Sequence, residues 1–227
     1  MIDTPRAPIT VTPRIGMLAE LVIKVTEAPW SLSRTDRDRA HRSGLSDDDI
    51  LQAIALSSYF GHLNRVADAV AVPLDYAVQR MPPPTDPNVP ALAPATVAVT
   101  GRPALELVRR PPTAAALTAW RTYMFDRDAP LTRRSRTVIA RWVALWLGDG
   151  GISAPADLTV NPIDDALREL AELVTLAPWQ LGDQSFTRLR GAGFDDAQLF
   201  DVVAVASSTG VFSRITVALG SLARSGA

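Results

Sequence analysis

Four side chains with acid–base or anion-binding chemistry recur at three-residue intervals: Tyr59, His62, Arg65 and Asp68. Residues three apart on a helix are near neighbours, so each group is within reach of the next. A histidine supplies a base near neutral pH, an arginine clamps an anion and a carboxylate orients the imidazole. Such a set would suit a carboxylated substrate. The same spacing fits a structural reading, in which Arg65 and Asp68 form an ion pair along the helix and His62 is packed. Asp149-Gly150-Gly151 is a second candidate. A carboxylate beside flexible glycines can act as a base or hold a ligand, although Asp-Gly is also a common turn pair.

Composition removes other chemistries. The chain of 227 residues has no cysteine, which excludes disulfides, thiolate nucleophiles and cysteine metal sites. His41 and His62 are the only histidines, and Asp47-Asp48-Asp49 reads as acid favoured at a helix N-terminus, so no metal site is expected. No phosphate loop, GxSxG turn or dinucleotide fingerprint is present, and no cofactor is expected. A net charge of −1 gives no overall drive toward nucleic acid or anionic membrane. The short basic runs at Arg109-Arg110 and Arg133-Arg134 with Arg136 read as solvated faces. The apolar stretch Leu199 to Leu222 carries Asp201 and Arg214, and is read as a buried helix and not as a membrane span. Met1 to Gly16 shows no secretory pattern, so a cytoplasmic location is expected.

The elements that must position these groups are written twice. Residues 10–71 align without a gap to residues 159–220, with about a third of positions identical. Ala28-Pro29-Trp30 answers Ala177-Pro178-Trp179, Gly44 answers Gly193, Gly61 answers Gly210 and Arg65 answers Arg214. A match of that kind argues for internal duplication. Ser46 with Asp49, and Asp195 with Gln198, have the spacing of helix capping boxes. Each opens a long helix on which Ile50, Ile54, Ser57, Gly61 and Val66 recur, opposite Leu199, Val203, Ala206, Gly210 and Ile215. Gly61 and Gly210 fall in mid-helix, where close approach of another helix is the expected reason. Shorter helices are expected over 14–27, 163–176, 114–126 and 131–148. Each proline–tryptophan turn is followed by a short polar helix ending at Gly44 or Gly193. Trp30 and Trp179 are read as repeated core anchors, with ligand stacking as the alternative. The class is all-α. The reading divides the chain into a first repeat (1–80), a proline-rich linker (81–104) and a region (105–227) holding the second repeat, packed as one globule.

Ser43-Gly44-Leu45-Ser46-Asp47-Asp48-Asp49-Ile50, followed by Tyr59-Phe60-Gly61-His62-Leu63-Asn64-Arg65-Val66-Ala67-Asp68-Ala69, resembles the carboxymuconolactone decarboxylase/AhpD-like alkylhydroperoxidase superfamily, in its peroxidase-related branch. The branch carries "AGxSDxEI" and "YFNFxNRxAD"; Gly61-His62 departs from the usual Asn-Phe. Leu131-Thr132-Arg133-Arg134-Ser135-Arg136-Thr137-Val138-Ile139-Ala140 resembles its "LSPxERExIA" helix. The resemblance implies an AhpD-like helical fold. It also places the family's relay glutamate, two cysteines and histidine on Thr137, Asp149, Ile152 and Ala156, so all four redox groups are lost. A peroxidase needs one thiolate to attack and a second thiol to resolve the sulfenic acid. The resemblance therefore implies kinship of fold without thiol redox. Two functions follow as expectations: a protein that binds or transforms a small organic molecule, or a noncatalytic oligomeric scaffold or regulator. Self-association into a homo-oligomer is implied in both, and the second copy is expected to supply within one chain an interface that relatives make between chains.

Overall fold

The computed structural model describes residues 11–72, 92–93, 111–151 and 161–223. Among them are eight α-helices and no strand: α1 (Pro13–Glu27), α2 (Arg34–Arg42), α3 (Asp47–Ala69), α4 (Pro111–Phe125), α5 (Arg133–Leu147), α6 (Pro162–Leu176), α7 (Thr187–Gly191) and α8 (Asp196–Ala223). Most of the 81–104 linker, and Ile152 and Ala156, lie outside the described residues. Helix α4 starts at Pro111, ahead of the expected 114, because proline lacks only an amide that the first turn leaves unbonded anyway.

The starts of α1 and α3 repeat in α6 and α8 at a constant offset of 149 residues, and local chemistry explains why. Helices α1 and α6 both open on a capping side chain followed by proline. The Thr12 hydroxyl accepts from the Ile15 amide at 3.3 Å, and the Asn161 carbonyl from Asp164 at 2.8 Å. The capping boxes form in both copies. The Asp49 amide donates to Ser46 Oγ (3.1 Å) and the Ser46 amide to Asp49 Oδ2 (2.8 Å). The Gln198 amide donates to Asp195 Oδ1 (2.8 Å) and the Asp195 amide to Gln198 Oε1 (3.0 Å). The preceding short helices end alike. Gly44 and Gly193 take φ of +83° and +89°. Leu45 N bonds Ala40 O at 3.0 Å and Phe194 N bonds Leu189 O at 3.1 Å, the six-to-one closure of a Schellman motif.

Helix α8 runs through the centre. It packs against α3, α5 and α6, and most of its residues are buried on every side, the pattern of an interior helix. Among the described residues it alone is long and apolar enough to cross a membrane, and 94% of its most apolar window is buried inside the fold. Two apolar clusters flank it. One joins Trp30 of the first repeat to Val143, Leu167, Leu170 and Val202; the other joins Leu21, Val25 and Ile54 to Phe212, Ile215 and Leu222. Each cluster draws on both copies.

Arg65 and Arg214 tie the copies together. Arg65 is 8% exposed and Arg214 4% exposed. Arg65, on α3, donates to the Thr175 carbonyl at the end of α6 (3.2 Å), while Arg214, on α8, donates to the Thr26 carbonyl at the end of α1 (3.1 Å). Thr26 and Thr175 are themselves equivalent positions. Each long helix thus caps the first helix of the other copy, placing a cation at a helix C-terminus whose last carbonyls lack intrahelical partners. Each guanidinium also turns back to the carbonyl four residues earlier, Gly61 at 2.8 Å and Gly210 at 3.3 Å. The mid-helix glycines are there for this. A Cβ on Gly61 would meet Arg65 Nη1 at 2.9 Å, and one on Gly210 would meet Arg214 Nη1 at 2.7 Å. The expected reason, approach of another helix, is replaced by room for an arginine of the same helix.

Alanine in a helix normally gains about 1 kcal/mol over glycine. Gly210→Ala should instead lower stability, because a guanidinium buried among three carbonyls must move. In an Arg214→Met background the same change should recover the ordinary gain. Urea unfolding followed by circular dichroism reads both changes; a stabilising Gly210→Ala in the unaltered chain would contradict the steric account.

Candidate functional site

Asp149 is placed by the end of α5. Gly148 adopts φ +73°, and Asp149 N closes on Ala144 O at 2.8 Å. This left-handed turn directs the aspartate inward, where it is 7% exposed. Ser213 Oγ donates to Oδ2 at 2.8 Å and the Gly151 amide to Oδ1 at 3.0 Å. Beside it is a cavity of about 10 Å³ lined by Arg121, Phe125, Thr209, Phe212 and Thr216, the size of one water site. Burial pushes the Asp149 carboxyl up from its ordinary value, against the Ser213 and Gly151 hydrogen bonds and the charge of Arg121, which favour the anion. The C-terminal end of α5 adds to the disfavour of a negative charge. A buried acid of this kind can donate a hydrogen bond when neutral and accept two when ionised.

His62 makes a separate contact between the copies. Its Nδ1 lies 2.8 Å from Ser207 Oγ, and the Ser207 hydroxyl donates to the Val203 carbonyl at 2.8 Å. With that proton committed, Nδ1–H is the donor and Nε2 the free base. The ring sits edge-on to Trp120, 5.0 Å between centroids. Burial first, and the charge of Arg65 second, lower the His62 pKa from 6.5, so the imidazole is neutral at pH 7.

The four residues spaced along α3 do not converge. Arg65 faces the helix ends, and burial lowers its pKa to about 10 although Asp68 acts the other way. Its bonded nitrogens are committed to carbonyls and are not presented to an open site. Tyr59 is 45% exposed and stands edge-on to Trp120 at 6.2 Å. Asp68 is exposed. On α5, the Thr137 hydroxyl is bonded to the Arg133 carbonyl at 2.8 Å. The structure therefore assembles His62 with Ser207 and Trp120, and Asp149 with Ser213 and Arg121. Ser207, Ser213 and Arg121 were not singled out from the sequence. Ser207 alone had a signal there, as a matched identity with Ser58 in the other copy.

The tryptophans also part company. Trp30 is 7% exposed in the core, whereas Trp179 is 55% exposed and is not a buried anchor. The Pro29–Ser31 turn packs on the enclosed helix α8, while the Pro178–Gln180 turn packs on α3, whose outer side meets solvent. Among the described residues no group of three or more His, Asp or Glu side chains is arranged to hold a metal ion.

Scans against known protein families, curated proteins and solved structures find no match for this chain.

Two titrations follow. A folded-state acid whose pKa is raised binds more protons than the unfolded chain, so its contribution to stability falls as pH rises above the ordinary value of 3.8. Asp149→Asn should therefore be more stable than the unaltered chain at pH 7, with the difference shrinking toward pH 3.8. Urea midpoints across pH measure this, and a pH-independent difference would contradict it. For His62, nuclear magnetic resonance of the imidazole protons should give a midpoint below 6.5, with His41→Gln supplying the assignment. A midpoint above 6.5 would mean that the ring is not held as described.

Proposed function

We propose that this chain is an AhpD-like helical protein with an internally duplicated unit that has given up thiol chemistry and serves as a noncatalytic scaffold. The motifs around Ser43 to Ile50 and Tyr59 to Ala69 support the kinship. The observation that carries the function is the use of Arg65. The side chain best suited to clamp a substrate anion is buried against the Gly61 and Thr175 carbonyls, where it joins the two copies. With no cysteine in the chain, neither half of a thiol peroxidase reaction has a nucleophile. The cavity beside Asp149 has the volume of a single water. In this reading the cytoplasm is the working compartment, and the partners are other protein chains.

One observation favours a second reading. A protonatable acid with Ser213 and Arg121 beside it, at the end of a left-handed turn, is a site at which a small organic molecule could be bound or transformed without thiol redox. Asp149 and not Arg65 would then hold it, after the cavity opens.

The metal-free protein should show no turnover of alkyl hydroperoxides with a dithiol reductant, and none of a lactone acid. Small carboxylic acids and esters should leave its melting temperature unchanged. Turnover abolished by Asp149→Asn or His62→Ala would overturn the scaffold reading. A saturable melting shift abolished by Asp149→Leu would establish the second.

A further inference from the structure

The repeat allows two equivalent faces to be compared within one molecule. In the second copy α5 lies across α6 and α8, with α4 beside it. Under that cover Asp164 and Ala171 on α6, and Val205, Thr209 and Phe212 on α8, are all buried. Their counterparts 149 residues earlier are Ile15, Val22, Leu56, Phe60 and Leu63. These are 46%, 37%, 54%, 57% and 41% exposed. Among the described residues no helix takes the place of α5 over the first copy. Leu56, Tyr59, Phe60 and Leu63 fall three, four and seven residues apart, so they form one stripe along α3. The stripe is continuous with the internal aromatic contact, since Tyr59 stands edge-on both to Phe60 and to Trp120. A contiguous exposed apolar surface of this kind marks an interaction site.

Charge narrows the choice of occupant. In the second copy α5 is held by Arg134 on Asp164, with two bonds of 2.6 Å, and by the buried pair Arg136 and Asp201. The equivalents of the two carboxylates are Ile15 and Gln52, so the first copy has no anchor for a basic helix like α5. Residues 50–64 contain no Asp, Glu, Lys or Arg at all, and His62 is neutral at pH 7. A face that pairs with itself across a two-fold axis needs this property, because each residue near the axis meets its own copy and like charges would repel. Antiparallel pairing also puts the two acidic turns, Asp47-Asp48-Asp49, at opposite ends of the contact.

We infer that the α3 stripe, centred on Tyr59 and Phe60 with Leu56 and Leu63 on either side, docks against the same stripe of a second copy of this chain. The inference rests on the scaffold reading and names its partner.

Sedimentation equilibrium of the full chain should show a dimer. Leu56→Asp with Phe60→Asp should weaken it by about 100-fold or more, as loss of two central apolar anchors does, with an unchanged circular dichroism spectrum. Tyr123→Asp, at an exposed position on α4, should leave the dimer intact. Should the double variant misfold, Phe60→Cys gives an independent reading. In a chain with no other thiol, mild oxidation should yield a covalent dimer, and Tyr123→Cys should not. A monomer at all concentrations, whether because other residues of the chain or another protein take the stripe, would overturn the inference. So would a dimer insensitive to the double change and refractory to cross-linking through residue 60. A monomer without turnover would end the dimer proposal and leave the noncatalytic reading standing; a dimer with turnover would do the reverse.

Discussion

Two buried arginines that exchange helix ends are the constraint on which the rest of this structure depends. Arg65 and Arg214 are both nearly inaccessible, and the charge of Arg65 adds to burial in pushing the Arg214 pKa down. Such a pair is unfavourable unless its donors find acceptors. The acceptors are carbonyls that helices α1 and α6 cannot bond internally at their last turns. Thr175 O receives a bond from both arginines. The end of α1 is thereby met by an arginine of the other copy, and the end of α6 by one arginine from each copy. That crossing explains why α3 and α8 are packed together, and why both keep a glycine one turn before the arginine despite its penalty in a helix.

The same geometry decides what chemistry is left. An arginine engaged with carbonyl oxygens in the interior is a poor anion clamp, because using it for a substrate would strip helix ends of their partners. His62 likewise bridges α3 to Ser207 on α8. Arg65 is spent on holding the copies together, and His62 commits its Nδ1 to the same contact. Asp149 differs. It is buried and has a cavity beside it.

Much of the fold was legible because it is set by short-range chemistry. The Ser46 and Asp195 capping boxes and the Gly44 and Gly193 stops need only a few consecutive residues, and both copies form them as their spacing requires. The buried face of α3 follows from periodicity, with Ile50 and Ile54 inside, whereas α8 is buried all round. The site was less legible because its partners are remote. Nothing near Arg65 points to Thr175, 110 residues away, and nothing near His62 points to Ser207, 145 residues away. Trp30 and Trp179 show the limit most clearly. Identical local sequence yields one buried and one exposed ring, because burial depends on what lies opposite and that differs between the copies.

Hydrogen–deuterium exchange of an Arg65→Met variant, resolved by peptide, tests the crossed arrangement most directly. The account predicts faster exchange at the far end of α6, around Thr175 and Ala177, in the copy that does not contain the substitution. Exchange that changes only along α3, with α6 protected as before, would contradict it.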